Sequence, residues 1–233
     1  VDKVGRKSEF KYQTEKRGKE MARDLEVIML SGQVSAVHGS SATGNIQALA
    51  RKMGAYQAYS TVNIVAGTAA AATGTGAVTG TGTGANIAVA QSGHTNALVS
   101  LADINETLRL VNGVTSVAPN KLMMSTTNKV RFSDLMTGTT NVRRNIDEKG
   151  KLKQSVDLYE SDFGDVELVH NYLMGNTEIF VYDPSTMSIN TLRPLHFRDI
   201  SEDGDSLRSF MVQELTFEAK TPTGNAVILD VTA

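Results

Sequence analysis

The sequence contains no cysteine among its 233 residues. Disulfides, thiolate metal sites and a cysteine nucleophile are therefore excluded, and the compartment stays undecided. No stretch approaches the roughly 18 consecutive apolar residues of a membrane span, and the first ten residues, VDKVGRKSEF, lack the apolar centre of a signal peptide. We therefore expect a soluble protein made in the cytoplasm. Because the chain does not begin with methionine, we also expect a processed or trimmed chain that lacks elements upstream of Val1.

The net charge is small but unevenly distributed along the chain. It amounts to -2, and 40% of the residues are apolar, so neither disorder nor bulk binding of nucleic acid is indicated. Residues 139–153 are basic, whereas residues 155–205 carry eleven carboxylates against two arginines. The two segments are either opposed patches that meet between neighbouring copies or solvated faces of one surface. The candidate intersubunit contacts in the basic segment are Arg143, Arg144, Lys149, Lys151 and Lys153.

A tract of glycine, threonine and alanine, GTAAAATGTGAVTGTGTGAN, occupies residues 67–86. Gly80, Gly82 and Ala85 match the spacing of a dinucleotide-binding turn, but the following NIAVAQSG is too short for the helix that must hold the phosphates. No lysine follows the tract until Lys121, which excludes a Walker loop. With high backbone entropy and little surface to bury, the tract is predicted to be a flexible surface loop.

Motifs for catalysis or metal binding are missing. The four histidines are His38, His94, His170 and His196. None has H-E-x-x-H or H-x-x-H spacing, and Ser40 and Ser41 lie outside any G-x-S-x-G motif. The acidic run at 199–205 lacks the alternating ligands and closing glutamate of a calcium loop. The sequence thus predicts no catalytic, cofactor or metal site, although folding can still bring a serine, a histidine and a carboxylate together.

Two helices are predicted in the first half of the chain. The first, between Ser8 and Gly32, has a narrow apolar stripe, and we expect its Leu25 and Ile28 to face a sheet. The second opens at Ser100, which stands with Asp103 at the spacing of a capping box. The stripe of the first helix consists of Phe10, Met21, Leu25, Ile28 and Met29, and the second helix buries Leu101, Ile104, Leu108 and Val111 and ends at Gly113.

Further along, the pattern turns to strands. KLMMS (121–125) is predicted to be a buried strand and TNKVRFSDLM (127–136) a short helix. From residue 155 the period becomes two, with strands at SVDLY, DVELVHNYL, TEIFVYD, LRPLHF, SLRSFMVQELTFEAK and NAVILDVT. Gly164 is expected to supply a positive φ between the first two, and Asp183 with Pro184 to turn the chain after the third. Helices first and strands later predict an α+β fold.

Six stretches in order carry a family resemblance: YQTEKRGKEMARDLE, ARKMGAYQAYSTVN, NKVRFSDL, VDLYESDFGDVELVHN, FVYDPSTMSINTLRP and GDSLRSFMVQELTFEAK. This ordered set resembles the major capsid proteins of tailed double-stranded-DNA bacteriophages. It covers most of the chain except the glycine tract and parts of 137–153. The positions that carry it are Asp24, Glu26, Tyr159, Asp162, Phe163, Gly164, Arg193, Pro194, Gly204 and Asp205.

The resemblance implies an HK97-like α+β fold with a long spine helix, a peripheral domain with a β-hairpin, and an axial domain. The implied division is 1–62 for the spine helix and first part of the peripheral domain, 63–94 for a flexible loop, 95–205 for the axial domain and 206–233 for the peripheral-domain hairpin. The usual N-terminal arm and extended loop do not precede the spine helix here, which puts the contacts they make between capsomers in doubt.

The function implied is structural, without an enzymatic activity or a cofactor. Copies would form the hexamers and pentamers of an icosahedral shell around packaged DNA, contact that DNA non-specifically, and meet portal, scaffolding and cement proteins, without a membrane partner. The chain would be assembled in the host cytoplasm and reside in the virion. Two alternatives remain: an encapsulin-like shell of a bacterial nanocompartment, and an enzyme with an unrecognised active site. Particle contents and activity of the monomer would distinguish them.

Overall fold

The structure is a computed structural model, and it describes residues 9–33, 35, 52–60, 62–65, 70–71, 98–114, 118–138, 157–200, 204, 208–229 and 231. Within these residues the α-helices are α1 Glu9–Leu30, α2 Tyr56–Tyr59, α3 Leu101–Val114 and α4 Thr126–Gly138. The strands are β1 Val62–Val65, β2 Ala70–Ala71, β3 Lys121–Met124, β4 Leu158–Ser161, β5 Gly164–His170, β6 Ile179–Tyr182, β7 Met187–Asp199, β8 Ser209–Ala219 and β9 Ala226–Leu229.

Seven of these strands form one mixed sheet in the order β2-β1-β9-β6-β3-β5-β4. The pairs β1–β9 and β3–β5 are parallel, and the other neighbours are antiparallel. Strands β7 and β8 pair only with each other among the described residues and form a long hairpin beside the sheet. The combination of helices with mixed and antiparallel sheets confirms the α+β class. Strands β1 and β9 join the sheet from outside residues 95–205.

The central strands β6 and β9 are buried on both faces of the sheet. Side chains alternate along a strand, so Ile179 and Val181 enter one core while Phe180 enters the other. In β9, Ile228 and Val227 divide between the two cores in the same way. Cover on both faces explains why IFVY and AVIL read as continuous apolar runs.

Helices α3 and α4 cover one face, and α2 with β8 covers the other. On the first face the rings of Phe132 and Tyr159 meet edge to face, 6.1 Å apart. On the second face Tyr56 packs against Phe180, with ring centroids 4.4 Å apart. The Tyr56 hydroxyl lies within hydrogen-bonding distance of two carbonyl oxygens, 2.9 Å from that of Val181 and 3.1 Å from that of Ala226. Helix α2 is thereby held against the middle of the sheet.

The capping box at the start of α3 is confirmed. The Ser100 backbone N–H and hydroxyl both donate to Asp103 Oδ2 at 2.8 Å, and the Asp103 N–H donates to Ser100 Oγ at 3.2 Å. Ile104, Leu108 and Val111 are buried as the pattern indicates. The helix runs to Val114, one residue beyond the expected end.

Helix α1 matches the predicted long helix, but its contact with the sheet differs from the expectation. Leu25 is partly buried, whereas Ile28 is 37% exposed. Met29 and Leu30 are the residues that pack against the second core. Successive residues on a helix are rotated by about 100°, so Ile28 lies about 150° away from the direction midway between Met29 and Leu30, on the outer side of the helix. The expectation that Ile28 faces the sheet is therefore wrong.

The strands and turns after residue 120 follow the sequence pattern closely. Strand β3 buries Leu122 and Met124, as expected for KLMMS. Gly164 has a φ of 126° in the β4–β5 turn, which confirms its predicted role. Asp183 accepts a hydrogen bond of 2.9 Å from the Ser185 N–H and turns the chain after β6.

Two short strands lie within the segment predicted as a flexible loop. Residues Val62–Val65 pair with β9 on one side, and Ala70–Ala71 pair with β1 on the other. The β-branched residues of VNIV favour a strand. The start of the loop segment is therefore paired, and the remainder, including residues 72–94, lies outside the described residues.

Burial predicts a large difference between two leucines on strands of the same sheet. Leu122 is 1% exposed in the core, whereas Leu158 is 59% exposed. We expect Leu122→Ala to lower the free energy of unfolding by about 2–5 kcal/mol, because it removes buried methyl groups and leaves a cavity. Leu158→Ala should change it by less than about 0.5 kcal/mol. Urea unfolding of the two variants measures both values, and equal losses would contradict the placement of β3.

The capping box gives a second prediction. Asp103 is fully buried and accepts two hydrogen bonds from Ser100. We expect Asp103→Ala to cost about 1–3 kcal/mol, because the Ser100 N–H loses its partner at a partly buried helix end. Glu106→Ala on the same helix is the control, since its ion pair with Arg109 is exposed and should contribute less than about 1 kcal/mol. A thermal melt that shifts equally for both would contradict the cap.

Candidate assembly surface

The β7–β8 hairpin has one polar and one apolar face. Residues opposite each other in an antiparallel pair share a face. Phe197 lies opposite Met211 and Ile189 opposite Phe217, whereas Arg193 lies opposite Glu214. The register shifts on both sides of Arg193 keep these two sets on their respective faces along the hairpin.

Charged and polar side chains on the polar face pair with one another. Arg193 Nε lies 3.0 Å from Glu214 Oε2. Ser188 Oγ and Asn190 Nδ2 donate to Glu218 Oε2 at 2.8 and 2.6 Å. The hydrogen bonds from Ser188 and then Asn190 hold the pKa of Glu218 below its ordinary value. This face can therefore remain in water without a partner.

The apolar face opens onto α1. A groove of about 440 Å³ lies between the helix and the distal part of the hairpin. Its apolar lining includes Phe10 and Met21 from the helix with Phe197 and Met211 from the hairpin. The remaining lining residues are Gln13, Thr14, Arg17, Glu20, Asp24 and Ser209. The helix residues recur every three or four positions and so form one helix face.

Large apolar side chains along this region are exposed. Phe197 is 51% exposed, Ile189 49% and Phe10 49%. Others on the hairpin that are more than a third exposed are Leu192, Leu195, Ile200 and Phe210. Contiguous exposed apolar surface in a folded protein marks an interaction site. We call the set Phe10, Met21, Ile189, Phe197 and Met211 the α1–hairpin surface.

The C-terminal end of α1 is held to the body of the protein by hydrogen bonds and apolar contacts. Asn171 Nδ2 donates to Glu26 Oε1 at 2.7 Å. Just after the helix, Gln33 Nε2 donates to the Met53 carbonyl oxygen at 2.8 Å. Met29 and Leu30 add apolar contacts with the second core. No residue of α1 is fully buried, and the first part of the helix lies along the hairpin.

The residues that carry the family resemblance lie on separate elements. Asp24 lines the groove, and Glu26 holds α1 to the loop after β5. Tyr159 donates to Asn105 Oδ1 at 3.0 Å and so joins β4 to α3. Arg193 pairs with Glu214, and its neighbour Pro194 lies within the second register shift of β7, between Arg193 and His196.

The other resemblance positions lie in turns. Asp162, Phe163 and Gly164 form the β4–β5 turn, where Ser161 Oγ donates to the Gly164 carbonyl oxygen at 2.7 Å. Gly204 has a φ of 79° between β7 and β8. Asp205 lies outside the described residues. The structure thus gives the described positions local structural roles and does not gather them into one site.

Several sequence predictions fall on residues that the structure does not describe. These are the five basic candidates Arg143, Arg144, Lys149, Lys151 and Lys153, together with His38, His94, Ser40 and Ser41. Of the two remaining histidines, His170 ends β5 and His196 Nδ1 lies 3.0 Å from the Pro194 carbonyl oxygen. In the described part of the chain, no three acidic or histidine side chains cluster closely enough to hold a metal.

Sequence reasoning missed the apolar face of the hairpin. The alternation in SFMVQELTF signalled a strand, but the partner of Met211 depends on the two register shifts in β7. Exposed apolar residues can be identified only once the fold is known.

Within the described residues, no helix has the length and apolar character that crossing a bilayer requires.

Comparison with solved structures gives a distant neighbour. A virus-like particle from Pyrococcus furiosus matches with 13% identity and a TM-score of 0.33, over 59% of this chain and 55% of that one. The chain thus spans about half the length of that solved chain. No curated protein matches the sequence.

Comparison with protein families gives a match over nearly the whole chain. The SU10 major capsid protein family matches residues 1–232. The match confirms the prediction of a phage major capsid protein, a structural component of the virion. A hairpin whose polar groups pair with one another on one face, and whose apolar side chains are partly exposed on the other face, is suited to contacts between subunits. It belongs to the SU10 major capsid protein family.

Proposed function

We propose that copies of this chain build the hexamers and pentamers of an icosahedral shell around packaged double-stranded DNA, using an HK97-like fold. The observation that carries the proposal is the α1–hairpin surface, in which Phe10, Ile189 and Phe197 are about half exposed in the single chain while Met21 and Met211 are partly buried. A two-stranded hairpin is marginally stable by itself, so its apolar face needs a further layer. In a shell protein, that layer is supplied by a neighbouring copy. The role proposed is structural rather than catalytic.

The proposed domain division assigns α1 and residues 1–62 to the spine and first part of the peripheral domain. Residues 63–94 form the connecting loop segment, residues 95–205 most of the axial domain, and residues 206–233 the peripheral hairpin. Strand β8 lines the groove along α1, which supports placing it beside the spine helix, although its hairpin partner β7 lies on the other side of the proposed boundary at residue 205. Portal, scaffolding and cement proteins are the further partners we propose, and contact with DNA is non-specific.

Electron microscopy of purified protein tests the function directly. We expect closed shells built from six-fold and five-fold capsomers. Nucleic acid inside shells recovered from infected cells supports a phage capsid, whereas a protein cargo without nucleic acid would support a nanocompartment shell instead. A protein that stays monomeric at all concentrations would contradict the proposal, and catalytic turnover by that monomer would favour the enzyme.

A charge placed on the apolar face of the hairpin should impair assembly, whereas the same charge on the polar face should not. Phe197→Asp places a carboxylate on the apolar face, where a neighbouring copy would have to desolvate it. We expect the critical concentration for assembly to rise at least about tenfold. The circular dichroism spectrum and the melting temperature should not change, because Phe197 is already half exposed. Thr216→Asp, on the opposite face of the same hairpin, is the matched control and should assemble like the parent protein. Equal assembly of both variants in light scattering would overturn this use of the hairpin.

A second contact is proposed between the basic segment and an acidic edge. Strand β4 lies at one end of the sheet, and Glu160, Asp162 and Asp165 are exposed on it and its turn. We propose that Arg143 and Arg144 of a neighbouring copy meet this edge. Opposite charges speed association most at low salt, because the Debye length is about 30 Å at 0.01 M but only about 10 Å at 0.1 M.

Charge reversal tests this contact. We expect the double variant Arg143→Glu and Arg144→Glu to slow capsomer formation most at low ionic strength and to approach the parent protein at high salt. Stopped-flow light scattering over a salt series measures the rates. Identical kinetics of variant and parent at low salt would contradict the contact.

A further inference from the structure

One face of the seven-stranded sheet is covered only in part. Residues opposite each other on neighbouring strands share a face, so Glu167 of β5 and Lys121 of β3 lie on the same side as Tyr182, which packs against the second core. Leu158 of β4 lies opposite Glu167 on this side and is 59% exposed, so the cover does not reach the edge of the sheet. We call the exposed residues of β4 and β5 on this side the open sheet face: Leu158, Glu160, Asp165 and Glu167.

Negative charge on the open sheet face is not balanced within the described part of the chain. Glu160 stands directly opposite Asp165 in the β4–β5 ladder, and like charges at such positions repel each other. Neither of these two carboxylates forms an ion pair with a described residue, whereas Glu167 pairs with Lys121 at 3.1 Å. The chemistry that fits two uncompensated carboxylates beside an exposed leucine is a row of cations mixed with apolar side chains.

A row of that kind runs along α1. Its members recur every three or four residues, which places them on one face of the helix, and all of them are exposed. They are Tyr12, Lys16, Lys19, Arg23 and Val27, and we call them the cationic stripe. At about 100° per residue, Lys19 lies about 160° around the helix from Met21, so the stripe lies on a different side of α1 from the groove.

The cations of the stripe are available to a partner. Lys16 and Arg23 form no ion pair with a described residue. Lys19 pairs with Glu15 at 3.3 Å, but the two side chains are 77% and 67% exposed, and surface pairs of this kind contribute little. A carboxylate from another chain therefore displaces no strong interaction.

We propose that the cationic stripe of one copy lies on the open sheet face of a second copy. The inference rests on the proposed assembly, which makes another copy the available partner. A helix laid on the sheet is also the way in which α3 and α4 cover its other face. Lys19 and Arg23 are about 6 Å apart along the helix axis. Asp165 and Glu167 are about 7 Å apart along β5, so neighbouring cations can meet neighbouring carboxylates.

Both surfaces are exposed in the single chain, so the contact joins two copies. Tyr12 and Val27, at the ends of the stripe, are 45% and 44% exposed and add apolar surface that can cover Leu158. Asp162, in the turn at the rim of the face, is left for the basic segment proposed above. The contact joins two different patches of the chain, and such contacts generate a ring when the rotation between copies closes.

Paired charge reversals test the contact. The stripe variant Lys16→Glu with Arg23→Glu, and the face variant Glu160→Lys with Asp165→Lys, each place like charges against each other. At low ionic strength we expect either variant to raise the critical concentration for assembly at least about tenfold. The combination of all four substitutions restores opposite charges and should assemble better than either double variant. Two surfaces that do not meet would instead give losses that add.

The matched control for the stripe variant is Lys52→Glu with Lys220→Glu. It makes the same change in net charge at exposed positions outside both surfaces, and it should assemble like the parent protein. All exchanged side chains are exposed, so circular dichroism of each unassembled variant should match that of the parent.

Cross-linking locates the contact independently, because the chain has no cysteine of its own. Copies with Lys19→Cys are mixed with copies with Leu158→Cys, assembled and treated with a short bismaleimide. The two positions are 77% and 59% exposed, so both variants should fold. We expect a cross-linked dimer in the mixture, and a yield at least about tenfold lower when Lys52→Cys replaces Lys19→Cys.

The outcomes separate this inference from the proposed function. A parent protein that forms no particles overturns both. Particles that form without a cross-link between the Lys19 and Leu158 variants, or charge-reversal losses that add, overturn this inference only. A face variant that fails to assemble while the stripe variant assembles like the parent also overturns it, and assigns the open sheet face to another basic partner.

Discussion

The burial of β6 and β9 on both faces is the constraint from which the rest of the structure follows. Two apolar strands in the middle of a sheet need cover above and below, and α3 with α4 provides it on one side. On the other side the cover is assembled from α2, the end of β8 and the end of α1. Burial first, and the nearby Tyr182 second, raise the pKa of Tyr56 well above its ordinary value, so its hydroxyl stays protonated and its single hydrogen lies between the carbonyl oxygens of Val181 and Ala226. Because β8 and α1 enter this core only at one end, the hairpin and the helix extend from the body together.

This arrangement leaves the free parts of α1 and the hairpin incomplete as a monomer. Near the body, Phe217 is buried and Met29 lies against the same core. Farther out, Phe197 on the same face of the hairpin is half exposed, and the helix opposite it contains no buried residue. Each square ångström of apolar surface removed from water contributes about 25 cal/mol, so a second copy that covers this face gains free energy that one chain cannot obtain. In the proposed assembly, a neighbouring copy would bury the part of this apolar face that the single chain leaves exposed.

Local patterns predicted most elements, and contacts between distant segments explain the failures. The α3 cap depends on Ser100 and Asp103, three residues apart, and the sequence alone was sufficient to find it. The long helix was found within a residue or two of its ends, but its inner face was not, because the narrow stripe allows either Ile28 or Met29 to face the sheet. The β-branched residues of VNIV favour a strand, but the pairing of β1 with β9 joins segments more than 160 residues apart, and no local pattern indicates that partner. The candidate assembly surface was not identified from the sequence, because the faces of the hairpin depend on two register shifts in β7.

The distribution of charge explains how a chain with so much exposed apolar surface can assemble without aggregating. Edge strands invite pairing with other chains, and inward or outward charges prevent it. The β4 edge carries Glu160, Asp162 and Asp165, so two such edges repel each other and accept only a basic partner. On the hairpin, the pair Arg193–Glu214 keeps one face in water while the opposite face stays apolar. Pairing of two β4 edges is thus disfavoured, and in the proposed assembly the acidic edge meets an unlike, basic patch. Contacts between unlike patches form closed rings when the rotation between copies is fixed, which is the geometry that a capsomer requires.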